Sequence, residues 1–141
     1  MWFEDGYKQV IGYLTEGRYL VFEKAGKALT NTGDGSRLSA TPAVSDHSKK
    51  EQRWVIHYSS GEESQLFKIS SALDGKWIGP RGVLLPANKR DLAAEIKITF
   101  RGNGKGYSLQ YANSGNFSVV EQSMGLNGTS GYQVWSVTYH S

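Results

Sequence analysis

Three segments of the chain alternate apolar and other side chains in the same way. Residues 54–58, 96–100 and 135–139 each read aromatic or aliphatic, x, Ile/Val, x, aromatic. Period-two alternation is typical of a β-strand with one buried face. The copies begin 42 and then 39 residues apart, and self-similarity at a period of about 20–50 residues indicates a repeat architecture. We predict that Trp54, Ile96 and Trp135 begin three equivalent strands and point into one core.

Further short strands complete each copy. An aromatic residue opens each one, namely Tyr19, Phe67 and Tyr107, and a glycine follows seven or eight residues later. A glycine at this place suits a hairpin turn that requires positive φ, and Asp74-Gly75 is the strongest of these turn signals. Each copy then holds about four strands in roughly 40 residues, and little of the chain is left for helix. The sequence therefore predicts an all-β protein.

The number of copies restricts how these strands can close. Propeller blades have four strands in a similar length, but propellers need about four or more blades. The arrangement that closes with three copies is a β-trefoil, a six-stranded barrel with a hairpin cap, and closure removes exposed sheet edges. We predict three pseudo-repeats in a β-trefoil domain at residues 18–141. Residues 1–17 are expected to be an N-terminal extension packed across the barrel; the alternative is a remnant of an interface with a preceding domain.

Composition narrows the function classes. The 141 residues include no cysteine, which excludes disulfides and thiolate metal sites. No apolar run approaches the ~18 residues of a membrane-spanning helix, and the first residues lack a basic signal-peptide leader. Two localisations stay open: secreted as part of a larger protein, or cytoplasmic if the chain is full length.

Positive charge is concentrated in the middle copy. Between Lys76 and Lys105 the chain has seven basic residues and two acidic ones. Such an asymmetry predicts an anion-binding face or, alternatively, an ordinary solvated surface. The candidates for contacting an anion are Lys76, Arg81, Lys89 and Arg90. Nucleic acid is not an expected partner, because few aromatic platforms alternate with the basic residues.

We find no catalytic constellation. The sequence lacks the His-Glu-x-x-His, Gly-x-Ser-x-Gly and Gly-Lys-Ser/Thr motifs. Of the three histidines, His57 stands between two inward positions of a predicted strand and therefore points away from the core. Nothing brings it near His47 or His140. We expect a non-enzymatic protein without a cofactor or a bound metal.

Two triplets carry a resemblance to a known family. Gln-x-Trp occurs at Gln52 to Trp54 and at Gln133 to Trp135, whereas the second copy departs from it and ends at Ile96. From about residue 18 onward the chain resembles β-trefoil domains, including the ricin-type lectin group that is named for this triplet. The resemblance implies that the tryptophan fills the core and that the glutamine bonds to the backbone.

The ricin-type sugar site consists of an aspartate, an aromatic platform and an asparagine or glutamine within one repeat. The resemblance implies that Asp74, Trp77 and Asn88 fill these roles in the second copy. The carboxylate and amide would bond to sugar hydroxyls, and the indole would stack on a C–H face. In the alternative interpretation, Asp74 is a turn residue and Trp77 packs under the hairpin.

A second resemblance is carried by the strand pattern and by the sequences Gly-Tyr-Ser-Leu-Gln at 106–110 and Ser-Val-Thr-Tyr at 136–139. On these features the stretch from Phe67 to Tyr139 resembles the C-terminal region of secreted fungal phospholipase C enzymes of the phosphoesterase type. In those enzymes a non-catalytic β domain follows the hydrolase. This resemblance implies an accessory module with a catalytic domain upstream. We predict a non-catalytic, carbohydrate-binding module of lectin type; the alternatives are a module that contacts anionic phospholipid or phosphate surfaces at the membrane periphery, and a protease inhibitor acting through its loops.

Overall fold

The protein is all-β in the computed structural model, which describes residues 7–44, 49–59, 65–113 and 131–137. Three short 3-10 turns, at Lys50–Gln52, Pro80–Gly82 and Arg90–Leu92, are the only helical elements in those residues. The prediction of an all-β protein is thereby confirmed. The eleven strands of the described residues are β1 (Tyr7–Gln9), β2 (Tyr19–Lys24), β3 (Lys27–Thr30), β4 (Ser39–Pro42), β5 (Trp54–Tyr58), β6 (Leu66–Ser71), β7 (Trp77–Ile78), β8 (Leu84–Leu85), β9 (Ile96–Phe100), β10 (Tyr107–Tyr111) and β11 (Gln133–Val137).

All strand pairs are antiparallel. The long strands follow the succession β11–β2–β5–β6–β9–β10, and the short pairs β3–β4 and β7–β8 form hairpins in the first two copies. The hydrogen-bonded ladders leave the sheet open, because none of them joins β10 to β11 among the described residues. At this gap Tyr107 and Tyr132 form an isolated bridge with two backbone hydrogen bonds of 2.8 Å. The predicted hairpin of the third copy falls in residues 114–130, outside the described residues.

The core is built from residues that lie opposite one another on neighbouring segments of the sheet. In one layer Leu20 lies opposite Trp54, Phe67 opposite Ile96, and Tyr107 opposite Tyr132. In the next layer Phe22 lies opposite Val134, Ile69 opposite Ile56, and Leu109 opposite Ile98. These twelve side chains are buried in a single hydrophobic cluster. The pattern predicted this burial correctly for β5 and β9.

The prediction was wrong for Trp135. Strand pairing makes Tyr132, three residues earlier, the counterpart of Trp54. Because the side-chain period of a strand is two, an odd offset turns Trp135 to the opposite face. There it is buried with Val21 and Ala28, and its Nε1 donates to Glu23 Oε1 at 3.0 Å. Tyr139, the last aromatic residue of that segment, lies outside the described residues.

The first triplet plays the structural part that the resemblance implies. Trp54 is fully buried, and its Nε1 donates to the Leu29 carbonyl at 3.0 Å. Gln52 Nε2 donates to the Pro42 carbonyl at 2.9 Å, and its Oε1 accepts from the Val44 N–H at 3.2 Å. These bonds tie β5 to the β3–β4 hairpin of its own copy.

Residues 7–17 pack against the sheet. β1 extends it by pairing with β11. Val10 and Leu14 join the main hydrophobic cluster, and the Val10 N–H donates to the Val134 carbonyl at 2.8 Å. Tyr107 Oη donates to the Gly12 carbonyl at 2.5 Å. Val10 and Leu14 are therefore buried on the same core as the repeats, whereas Ile11 and Tyr13 of the same stretch are exposed.

Candidate functional site

Asp74 forms the turn after β6. Its Oδ1 accepts hydrogen bonds from the Lys76 N–H at 3.0 Å and from Asn31 Nδ2 at 2.9 Å, and Gly75 has φ +80°. Its Oδ2 lies 3.8 Å from Lys76 Nζ and accepts no hydrogen bond from a described residue. One carboxylate oxygen thus fixes the turn, and the other is left for a solvent molecule or a ligand.

Asn31 positions this carboxylate from the first copy. Its side chain is fully buried, and Nδ2 is shared between Asp74 and Ser71 Oγ, the latter at 3.0 Å. Its Oδ1 accepts from the Gly33 N–H at 3.0 Å. A buried amide with its donors and acceptor satisfied is held rigidly. No local signal in the sequence points to Asn31, because it lies 43 residues before its partner Asp74.

Trp77 packs under the second hairpin, as the alternative interpretation of the sequence expects. The residue is 7% exposed, and its Nε1 donates to the Ala87 carbonyl at 2.9 Å. The ring centroid of His57 lies 4.9 Å from that of the indole, and the Arg90 guanidinium carbon lies 5.4 Å from it. The indole consequently offers little surface on which a sugar ring could stack.

Asn88 is exposed in the turn that follows β8, and this turn lies beside that of Asp74. A Cβ atom added to Gly75 would be 3.2 Å from the Ala87 Cβ, so the two turns are in contact. Trp77 lies with them through its bond to Ala87. The structure therefore brings Asp74, Trp77 and Asn88 together, with the indole as a support for the loops.

The four predicted anion contacts divide into two groups. Lys76 lies beside Asp74, and Arg90 lies over Trp77 next to the exposed Lys89. Arg81 belongs elsewhere: it is exposed in a turn at φ +58°, and its carbonyl accepts from Arg37 Nη1 at 3.2 Å. No hydrogen bond, ion pair or ring contact links Arg81 to Arg90 among the residues that the structure describes.

The outer face of β5 and β6 adds two residues to the surroundings of Trp77. His57 lies opposite Lys68, and its Nε2 is 3.0 Å from Ser70 Oγ. Lys68 Nζ donates to the Arg90 carbonyl at 3.0 Å. His57 points away from the core, as predicted, whereas the part played by Lys68 was not predicted from the sequence. Burial lowers the pKa of His57 and the charge of Arg90 lowers it further, while Glu16 acts in the opposite direction.

The lowered pKa of His57 predicts that the protein loses stability in acid. The unfolded chain holds the His57 proton more tightly than the folded one, so the free energy of unfolding falls as the pH drops from about 6.5 through the lower folded pKa. We expect His57→Gln, which keeps a side chain able to bond Ser70, to remove this part of the pH dependence. Urea unfolding of both proteins across that pH range measures it. Parallel stability curves over the whole range would contradict the prediction.

Comparisons of the chain with protein-family models, with curated proteins and with solved structures find no match. The residues that the structure describes contain no helix long and apolar enough to cross a membrane. Within the same residues no three His, Cys, Asp or Glu side chains gather as a metal site would require.

Proposed function

We propose that the protein is a non-catalytic module that binds carbohydrate on the surface formed by Asp74, Lys76 and Asn88, hereafter the Asp74 surface. The observation that carries this proposal is the hydrogen bonding of the Asp74 carboxylate. Two N–H donors fix Oδ1, and Oδ2 accepts from no described residue. A carboxylate held in place in this way is preorganised to accept directed hydrogen bonds from hydroxyl groups. The neighbouring Asn88 amide supplies both a donor and an acceptor.

Trp77 supports this surface from below in our proposal. Its bond to the Ala87 carbonyl fixes the loop that carries Asn88. Recognition at the Asp74 surface then depends on polar contacts, and the aromatic stacking that the resemblance implies has a smaller part. Since truncation of a buried indole would also destabilise the fold, Trp77→Ala is a poor test of sugar binding, and Asp74 is the better target.

We expect Asp74→Asn to weaken carbohydrate binding by about 10- to 100-fold, because a hydrogen bond to a charged group contributes about 1.5–3 kcal/mol. The amide retains one oxygen that can accept from Lys76 and Asn31, so the turn is preserved. A glycan array with the unchanged protein identifies ligands, and titration calorimetry with a selected oligosaccharide then compares the variants.

Asp34→Asn is the matched control. Asp34 is an exposed aspartate in the first copy and its Oδ1 accepts from Thr32 Oγ1 at 2.6 Å, so the variant makes the same change of charge at a side chain that no hydrogen bond or ion pair joins to Asp74, Lys76 or Asn88. It should bind like the unchanged protein. An array without any signal would reject the carbohydrate proposal, and equal binding by Asp74→Asn and Asp34→Asn would reject the site.

The fold belongs to the same proposal: we infer that the six long strands close into the barrel of a β-trefoil. Support comes from the order of the ladders, which run from β11 through β2, β5, β6 and β9 to β10. The Tyr107–Tyr132 bridge lies where the sixth ladder of such a barrel would form. The two layers of equivalent core residues fit a threefold arrangement as well.

A second candidate function is binding to anionic phospholipid surfaces. The observation in its favour is that Arg90 lies over Trp77 next to the exposed Lys89, while Lys76 precedes Trp77 in the chain and pairs with Asp74. Binding of this kind weakens steeply with salt, because the Debye length falls from ~10 Å at 0.1 M to ~3 Å at 1 M. Salt-insensitive binding to anionic vesicles, or none, would reject it.

The biological setting follows from the resemblance alone. We propose an accessory domain of a secreted hydrolase, whose catalytic domain lies upstream in the same polypeptide. The parent reading frame tests this setting directly. A hydrolase sequence before these residues would support it, and a free-standing gene would count against it.

A further inference from the structure

Arg90 and Lys68 form a cationic pair that is held in place by its neighbours. The Arg90 guanidinium lies over the Trp77 ring, with 5.4 Å between the guanidinium carbon and the ring centroid. Lys68 Nζ is fixed by its 3.0 Å bond to the Arg90 carbonyl. A guanidinium stacked on an aromatic ring loses less conformational freedom when it binds a ligand, and its planar fork matches two oxygens of an oxyanion.

Neither cation has an acidic counterion in the described part of the chain. The ion pair found there joins Lys76 to Asp74. Two nearby acids are engaged elsewhere: Glu16 Oε2 accepts from the Tyr58 N–H at 2.9 Å, and Glu95 Oε2 accepts from Ser59 Oγ. Since neither Lys68 nor Arg90 forms an ion pair with a carboxylate of the described residues, their positive charge favours an anion at this place.

His57 completes this group on the β5 side. Its ring contacts the same indole as Arg90 does, and it lies opposite Lys68 in the sheet. Trp77 also links the group to the Asp74 surface, since its Nε1 bonds to the Ala87 carbonyl next to Asn88. The indole therefore lies between the Asp74 surface and two cations that form no ion pair with an acid of the described residues.

We propose that Arg90, Lys68 and His57 form an oxyanion subsite adjoining the Asp74 surface, and that the ligand is an acidic carbohydrate bearing sulfate or carboxylate groups. This inference rests on the proposed function and names its ligand class. Sugar hydroxyls contact Asp74 and Asn88, and the charged substituent reaches across Trp77 to Arg90 and Lys68. The same oxyanion chemistry occurs in phospholipid headgroups and in free phosphate, so the experiment includes both.

Occupation of the subsite has a consequence for His57. In the free protein the pKa of His57 is lowered by its burial and by Arg90, with Glu16 opposing. Lys68 is the other charged group that faces it, from β6. A bound oxyanion favours the protonated imidazole, so it should raise this pKa, and binding should become tighter as the pH falls.

The test compares sulfated and uronic-acid oligosaccharides with neutral counterparts of the same backbone. We expect the acidic forms to bind more tightly to the unchanged protein. In the double variant Lys68→Gln/Arg90→Gln, affinity for the acidic forms should fall by about tenfold or more. Affinity for the neutral forms should change less than about twofold. Parallel arms use sodium sulfate, sodium phosphate, and phosphatidylcholine vesicles with and without phosphatidylserine.

The control is the double variant Arg101→Gln/Lys105→Gln. It makes the same change in net charge in the connection between β9 and β10, where both side chains are exposed. An equal loss in both double variants would show a general charge effect and overturn the subsite. NMR titration supplies an independent readout: a sulfated oligosaccharide should raise the His57 pKa in the unchanged protein and leave it unmoved in Lys68→Gln/Arg90→Gln.

The outcomes separate this inference from the proposed function. Neutral and acidic glycans of equal affinity, with no effect of the Lys68→Gln/Arg90→Gln change, would overturn the subsite and leave carbohydrate binding intact. Silence with every glycan would reject the proposed function. Vesicle or phosphate binding that requires Arg90 and Lys68, without binding to any acidic glycan, would overturn the assignment to carbohydrate.

Discussion

Replacement of Trp54 by alanine is expected to lower the free energy of unfolding by about 3–5 kcal/mol, the usual cost of truncating a large buried aromatic side chain. Trp54 has no exposed surface, packs in the main cluster opposite Leu20, and donates its indole N–H to the Leu29 carbonyl. The variant therefore loses buried apolar area and leaves the backbone acceptor without its partner. Urea unfolding followed by circular dichroism measures the loss.

Two further variants test how far the loss of stability comes from lost apolar burial and how far from the lost hydrogen bond. Trp54→Phe keeps most of the aromatic volume but not the N–H donor, so it should cost less than the alanine variant. Leu92→Ala removes a side chain that is 57% exposed, and its effect should lie within about 0.5 kcal/mol. A loss below about 1 kcal/mol in Trp54→Ala would contradict the central place that the structure gives this residue.

The alternation of side chains predicted β5 and β9 with the bounds that the structure has. It failed for β11, and the reason lies in the burial of that strand. Val134 is buried in the main cluster and Trp135 is buried on the opposite face with Val21 and Ala28. When both faces of a strand are covered, alternation no longer distinguishes the inner face from the outer one. Which face is the inner one then depends on the pairing of β11 with β2, where Val134 lies opposite Phe22 and Trp135 opposite Val21, and this pairing is a tertiary contact.

In the candidate site, too, some features were predicted from local sequence and others depend on distant residues. Local signals predicted the Asp74–Gly75 turn, because the conformation of a turn depends on the types of its own adjacent residues. The partners that give the site its properties come from distant positions, with Asn31 holding Asp74 and Lys68 reaching the Arg90 carbonyl. Residue type also cannot show whether an aromatic ring is covered. The platform predicted at Trp77 is therefore replaced by an indole that packs under loops.

Substitution of Gly106 tests barrel closure, because this glycine, directly before β10, lies in close contact with the backbone of Tyr132, directly before β11. Gly106 has φ +71°, and a Cβ added there would lie 2.2 Å from the Tyr132 carbonyl oxygen. Gly104 offers a matched control two residues earlier. It has φ +77°, and an added Cβ would meet nothing within 4 Å. Alanine is strained by the positive φ at both positions, so the two variants differ in the contact with Tyr132.

We expect Gly104→Ala to cost about 1 kcal/mol for its left-handed conformation. Gly106→Ala should cost about 2–4 kcal/mol, because the clash adds about 1–3 kcal/mol unless β10 moves away from Tyr132. Urea unfolding measures both, and equal losses would show that the approach is not tight.

If Gly106→Ala does not fold, amide hydrogen exchange in the unchanged protein tests barrel closure instead. In the unchanged protein, the Tyr107 and Tyr132 amides donate to each other's carbonyl groups at 2.8 Å. If these bonds close the barrel, both amides should exchange as slowly as the Ile98 amide within β9, since opening then requires unfolding of the sheet. If the sheet is open at this point, the two amides lie at its edges and exchange by local opening, orders of magnitude faster. Slow exchange of both amides would therefore support a closed cylinder, and fast exchange of both would leave the three copies as an open sheet.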